Sequence, residues 1–517
     1  MKKIIIFSIL LILLSISGIV NRDLWNPHEF RVAEIIREIS VNKDYVIPHL
    51  NNRPFIEKPP LYYISAHILS LLFNDKDGKS YRLASALWAL GILFLIFKIG
   101  LIFGVDEAII STSILATSLG FVQGSHFILV DIALLFFITL SFYGVVKYLK
   151  EEKGIYIFTL GLAGAFLTKG FLGWGIIVSA LLPFIIITKR WKFIKKFIHP
   201  LNILLLFGLV SIWLIPLSLR ENRRYFYKWL IYENLGRFLG SKTHHYHHTH
   251  GIFYYFYMVP LIFLPWTPLL PFIKKIKKME NKEIINFLWC WAIGGFILLS
   301  IATTKRDIYA YPLLPPFSLL LGISLNEYKL KINIKRWIRY SFQLFPLLFF
   351  IMATVLLFLK KNTIGNIEIL IILGIIFTIL GFILSKKIDK FPSFPYQLII
   401  LLIFLWIEIL TILVPAINPY KSYKDGINKI ADFVPPNEKL IAFHPSETLR
   451  GAYPFYMGDF LKEVRTISDL KKMLKSNKIK YILVEKRYSK HILPLKLKKI
   501  TQIKIGTKRR LFIFEKE

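Results

Sequence analysis

A small set of ionisable residues stands out in an otherwise apolar chain. His28, Glu29, Arg31, Arg53, Glu57 and Lys58 crowd one stretch near the amino end, and Arg82 follows. Asp131 lies in SHFILVDIALLFF and Thr168-Lys169 in FLTKGFLGWG, each beside an apolar run. ENLGRF (233–238) precedes HHYHHTHGIFYY (244–255), and TTKRDIYAYPLLP (303–315) adds Lys305, Arg306 and Tyr309. Charges at membrane depth are costly, so they mark function by default. Lys and Arg hold phosphate through charge-assisted hydrogen bonds, and a carboxylate can orient and deprotonate an acceptor hydroxyl. Five histidines between 244 and 250 suit a metal. Each has a plainer alternative. Asp131 can cap its helix, Lys169 and Lys305 can snorkel to headgroups, and the histidine tract can be a hydrogen-bonded loop.

The elements that must position these residues are membrane helices. The 517 residues are 55% hydrophobic with a mean hydropathy of +0.53, above the ~45–50% apolar content of soluble domains. A spanning helix needs ~20 mostly apolar residues. Such windows recur at 4–20, 83–103, 108–120, 127–146, 155–168, 171–187, 202–219, 252–273, 285–302, 308–325, 341–359, 366–385 and 398–417. They predict about thirteen spans. The net charge of +35 suggests nucleic acid, but its placement argues otherwise. Lys2-Lys3, KRWKFIKK (189–196), KKIKK (274–278), KLKINIKRWIR (329–339) and KKIDK (386–390) all fall on one side if the amino terminus is cytoplasmic. That is the positive-inside pattern. The first twenty residues lack a small-residue cleavage pattern and read as an uncleaved helix. A single cysteine, Cys290, excludes disulfides and thiolate metal sites.

This topology leaves 21–81, 220–251 and everything after 418 outside. Within the first loop, Val32, Ile35, Ile36 and Ile39 recur at helical spacing, predicting an amphipathic helix in the interface plane. LYYISAHILSLLF (61–73) is too short to span and reads as interfacial or re-entrant, with Pro59-Pro60 turning the chain into it. After 421 the composition turns polar. KLIAFHP (439–445), KYILVEK (480–486) and RRLFIFEK (509–516) read as strands, and ISDLKKMLKSN (467–477) as a helix begun by a Ser-Asp cap. LRGAYPFYMG (449–458) reads as a packed aromatic loop. A transporter would string polar residues through the bilayer. An enzyme on a lipid-linked substrate would gather charge at one interface, which this pattern matches better.

WNPHEFRVAEIIREISVNKDYVIPHLNNRPFIEKPPLYY (25–63) resembles the first extracytoplasmic loop of the aminoarabinose transferase family. These bacterial relatives of protein O-mannosyltransferases have the GT-C fold, and their loop reads roughly P-D-E-x-R-Y-A-E-I-x-R-E-M, G-D-W-x-x-P and F-E-K-P-P. The Asp131 segment, FLTKG (166–170), His248 to Tyr255, FLPWT (263–267) and TKRDIYAYPLLP follow in order, so the resemblance covers about residues 1–420.

The resemblance implies an all-α polytopic GT-C domain (1–420) and a small α/β extracytoplasmic domain (421–517). It implies a glycosyltransferase in the bacterial inner membrane, working as a monomer on its periplasmic side without nucleic acid. The donor is a polyprenyl-phosphate sugar and the acceptor lipid A. A polypeptide acceptor, as in the O-mannosyltransferases, is the first alternative, and a lipid-linked sugar flippase the second. The implied catalytic residues are Asp131 and the aspartate of P-D-E. That position is His28 here, with Glu29 the adjacent substitute. Lys58, with Arg82, Lys169, Lys305 and Tyr309, is the implied set for the donor phosphate, and Glu57 with His248 an implied zinc site.

Overall fold

The computed structural model describes the chain outside 26–27, 74, 76–77, 237–249, 276–280, 328–339, most of 341–366, 388–393, 436–437, 476–478, 493–494, 496, 508 and 517. The protein is a polytopic, mostly helical GT-C body followed by a small sheet domain. Among the described residues, seven helices are long and apolar enough to cross a bilayer, or nine if each of two bent pairs is one span. The window 341–359 lies largely outside the described residues. The expected span 252–273 is broken, because Tyr254–Ile262 and Thr267–Ile273 meet at 101°. Pro265 and Pro268 at the junction lack the N–H that would continue a helix.

The two helices that carry Asp131 and Lys169 pack antiparallel. Val130–Glu151 begins after an extended Leu129, and Ile155–Lys169 returns along it. A Cβ on Gly144 would collide with the Phe158 backbone, so glycine allows this close approach. Gly170, at φ 63°, separates Ile155–Lys169 from Phe171–Thr188. That positive φ suits glycine, and it leaves Lys169 as the last residue of its helix.

The first loop forms Glu29–Asn42 and Leu61–Phe73, as the apolar periodicity predicts. The environment of Glu29–Asn42 differs from an interfacial helix, however. Phe30, Val32, Ala33, Ile35 and Ile36 are all buried, together with Glu29, Glu34 and Glu38. The reason is a second cover: Glu447–Met457 packs along this helix. The stretch expected as an aromatic loop is thus mostly this helix. Ser446 caps it by accepting from the Leu449 N–H at 3.3 Å, and Gly458 ends it at φ 81°.

The sheet order is Lys462–Val464, Leu440–Phe443, Tyr481–Glu485, Arg509–Lys516, Leu497–Ile505. The first three strands are parallel and the last two antiparallel additions. One face (Leu483, Leu511, Ile513) joins the main core, and the other closes under Leu470 and Leu474 of Ile467–Lys475. Thr466, rather than the expected Ser-Asp pair, caps that helix by accepting from the Asp469 N–H at 3.1 Å.

Gly451 marks a close docking of sheet domain against first loop. A Cβ there would stand 2.7 Å from the Phe30 carbonyl carbon, a backbone atom that cannot swing aside. Gly451→Ala is expected to cost about 1–3 kcal/mol by overpacking. Thermal unfolding of the detergent-solubilised protein measures it, and proteolysis between helical body and sheet should come earlier.

Candidate active site

The first loop is fixed by one buried knot. Glu29 is fully buried and accepts from both arginines: Arg82 at 2.8 and 3.2 Å, and Arg22 at 3.1 Å plus a second, shorter bond. It also accepts from the Trp25 N–H at 2.8 Å and the Ile128 N–H at 3.2 Å. Arg82 spends its remaining donors on the carbonyls of Ile19, Arg22 and Asp23. All five guanidinium N–H groups are used, which leaves none for a phosphate. The expected catalytic role of Glu29 and donor-phosphate role of Arg82 therefore give way to a structural one: they position the site. Burial alone would raise the Glu29 carboxyl, but Arg22 and Arg82 hold it at about 2. Arg22, which the sequence did not single out, also donates to the His126 carbonyl and stacks on Trp25 and Phe127.

A second device holds the strip that bears Glu57 and Lys58. Glu38 accepts from the backbone N–H groups of Asn51 and Asn52, both at positive φ. Asn51 then exchanges two 2.8 Å hydrogen bonds with Leu461 of the sheet domain. Arg53, expected among the converging charges, instead pairs with Glu463 at 2.8 Å.

The remaining charges come together. Lys169 Nζ is ion-paired to Asp131 Oδ1, and both are buried. The same ammonium lies 4.1 Å from the Tyr309 ring centroid, a cation–π contact. Lys58 is close enough to feel Arg31, Asp131, Lys169 and Glu57. Desolvation, then Arg31 and Lys169, push its ammonium down to about 7, with Asp131 and Glu57 opposing. Arg31 lies 3.8 Å from Glu57 and 2.8 Å from Glu447 of the sheet domain. His28 Nδ1 is 3.1 Å from Arg306 Nη2.

Two expected residues stand elsewhere. Lys305 donates to the carbonyls of His250 (3.1 Å) and Ala302, so it fastens a connection instead of entering the cluster. Its neighbour Arg306, extended at φ −145° and ψ 153°, faces His28 in its place. His248 lies outside the described residues. Among the described residues no group of three or more His, Cys, Asp or Glu could hold a metal, and Glu57 has Arg31 beside it.

Fold and cluster together define a GT-C-type membrane protein with a cationic site on the first loop and adjoining helix ends. Residues 1–232 match the family model described as dolichyl-phosphate-mannose-protein mannosyltransferase. The undecaprenyl phosphate-alpha-4-amino-4-deoxy-L-arabinose arabinosyl transferase of Photorhabdus laumondii is 28% identical over 61% of this chain and 58% of its own. That of Edwardsiella ictaluri is 31% identical over 62% and 60%. The chain thus spans about three fifths of the length of these relatives. The crystal structure of ArnT from Cupriavidus metallidurans bound to undecaprenyl phosphate shares 17% identity, 99% of this chain, 98% of its own and a TM-score of 0.75. The archaeal oligosaccharyltransferase AglB from Archaeoglobus fulgidus shares the fold more distantly, at 11% identity over 95% and 72% with a TM-score of 0.51. The chain is thus similar to these arabinosyl transferases over three fifths of its length, and it shares the GT-C fold of ArnT.

Glu29→Gln would leave two buried arginines without their carboxylate, which costs about 3–5 kcal/mol. Thermal unfolding at pH 7 measures the loss. The folded carboxyl titrates at about 2, below its ordinary 4.5. Its contribution is therefore complete above 4.5 and disappears as pH falls toward 2. The gap between wild type and variant should close over that range.

Proposed function

We propose that the protein is an integral-membrane glycosyltransferase. It moves a sugar from a polyprenyl-phosphate donor to lipid A on the periplasmic face of the bacterial inner membrane. The observation that carries this reading is the gathering of Lys58, Lys169 and Arg306 around Asp131, beside a loop wedged between helical body and sheet domain. The names of the relatives and the undecaprenyl phosphate in the ArnT crystal structure support the donor class.

In this mechanism the prenyl tail lies between helices and the phosphate enters the cationic cluster. Negative charge grows on the phosphate oxygen as its bond to the sugar breaks. Lys58, Lys169 and Arg306 are preplaced to offset it, which makes polyprenyl phosphate a better leaving group. The incoming phosphate competes with Asp131 for Lys169 and so frees the carboxylate to meet the other substrate. With a hydroxyl acceptor, the acceptor oxygen bonds to the sugar carbon and Asp131 takes its proton. With an ionised phosphate acceptor no base is needed, and Asp131 offsets positive charge on the sugar. Tyr309 holds Lys169 through its ring face.

A second reading keeps the donor and changes the acceptor to a polypeptide, because the matching family model is that of a protein mannosyltransferase. Mass spectrometry of lipid A and of membrane proteins from cells with and without the gene separates the two. We also propose that Glu57 and His248 hold a zinc ion. Metal analysis of the purified protein, with Glu57→Gln as control, tests it.

Asp131→Asn and Lys58→Ala are each expected to lower transfer from a polyprenyl-phosphate sugar by about 10²–10³-fold, the scale for a charged group acting in the transition state. Membranes with equal amounts of each variant provide the assay. Near-normal transfer by both would refute the assignment.

A further inference from the structure

His28 meets Arg306 through Nδ1 at 3.1 Å. A guanidinium only donates hydrogen bonds, so Nδ1 must be the acceptor. The ring proton of the neutral imidazole then sits on Nε2. Burial and the neighbouring Arg306 keep the ring neutral, pushing its pKa down to about 3. His28 is 6% exposed. Among the described residues no hydrogen bond is made by Nε2, while Arg306, Arg31, Lys58 and Asp131 all act on the ring electrostatically. The position thus offers an N–H donor set among three cations and one carboxylate.

Such a group suits an oxygen acceptor, either a hydroxyl or a carboxylate. It opposes an ammonium, which cannot accept and which the cations repel. We infer that His28 selects a donor sugar that presents oxygen to Nε2 and carries no ammonium there: a neutral or acidic pentose or hexose. This rests on the glycosyl-transfer reading and sharpens it, since the relatives named above are arabinosyl transferases of a 4-amino sugar. Aspartate at this position would reverse the preference, having two acceptors, a negative charge and no donor. Glutamine would preserve it, because its amide accepts from Arg306 through oxygen and donates through nitrogen.

The test uses the full-length protein in lipid vesicles with two polyprenyl-phosphate donors, a neutral pentose and the same pentose with a 4-amino group. The readout is the ratio of their kcat/KM values. Wild type should favour the neutral sugar by about tenfold, the scale of one hydrogen bond. His28→Gln should keep that preference and His28→Asp should lower or invert it. A wild type that prefers the amino sugar overturns the inference, as does an unchanged ratio in an active His28→Asp. Should His28→Asp fail to accumulate in membranes, the wild-type and His28→Gln ratios decide. No transfer from either donor, with the protein folded, would instead overturn the glycosyl-transfer reading beneath it.

Discussion

One carboxylate holds this site together. Glu29 accepts from two arginines and two backbone amides drawn from four places in the chain: Arg22, Trp25, Arg82 and Ile128. The first amphipathic helix, the start of Tyr81–Gly100 and the segment entering Val130–Glu151 are thereby tied to one point. His28 is its neighbour on one side, and Asp131 follows Ile128 by three residues. A buried ion of this kind adds little stability against a well-packed apolar substitute. What it supplies is geometry, since it fixes groups from distant parts of the chain at one point inside the shared core.

The division of labour among the charges follows from saturation. A guanidinium with five bonds made, like Arg82, is part of the scaffold. Lys169 and Asp131 pair with one another, an arrangement that an incoming anion can exchange. Arg31 stands between the two kinds, touching Glu57 and reaching Glu447 in the sheet domain. The sheet domain is thus a structural wall of the site, though its fold is unrelated to the helical body.

Much of the architecture was legible because it is written in local periodicity. Glu29–Asn42 and Leu61–Phe73 follow from apolar spacing and a Pro-Pro turn, and the central strands from short β-branched and aromatic runs. The site was legible in part, since charges in an apolar chain announce themselves. What they do was not. Glu29 and His28 are adjacent in sequence and unlike in role, because the partners that saturate Glu29 lie up to 99 residues away. Lys305 and Arg306 are equivalent as text, and only the extended backbone decides which one faces His28. The helix Glu447–Met457 was hidden by Gly451 and Pro454, residues that suggest a loop. Gly451 is there because another backbone passes too close for a side chain.

The two hydrogen bonds between Asn51 and Leu461 join residues 410 apart in the chain. Synthesis at ~5–20 residues per second puts roughly 20–80 s between their emergence from the ribosome. Throughout that interval the strip bearing Glu57 and Lys58 has its internal bonds to Glu38 but no partner across the gap. The newborn chain therefore assembles its membrane body first and acquires a finished site last, when the sheet domain closes over a loop made near the beginning.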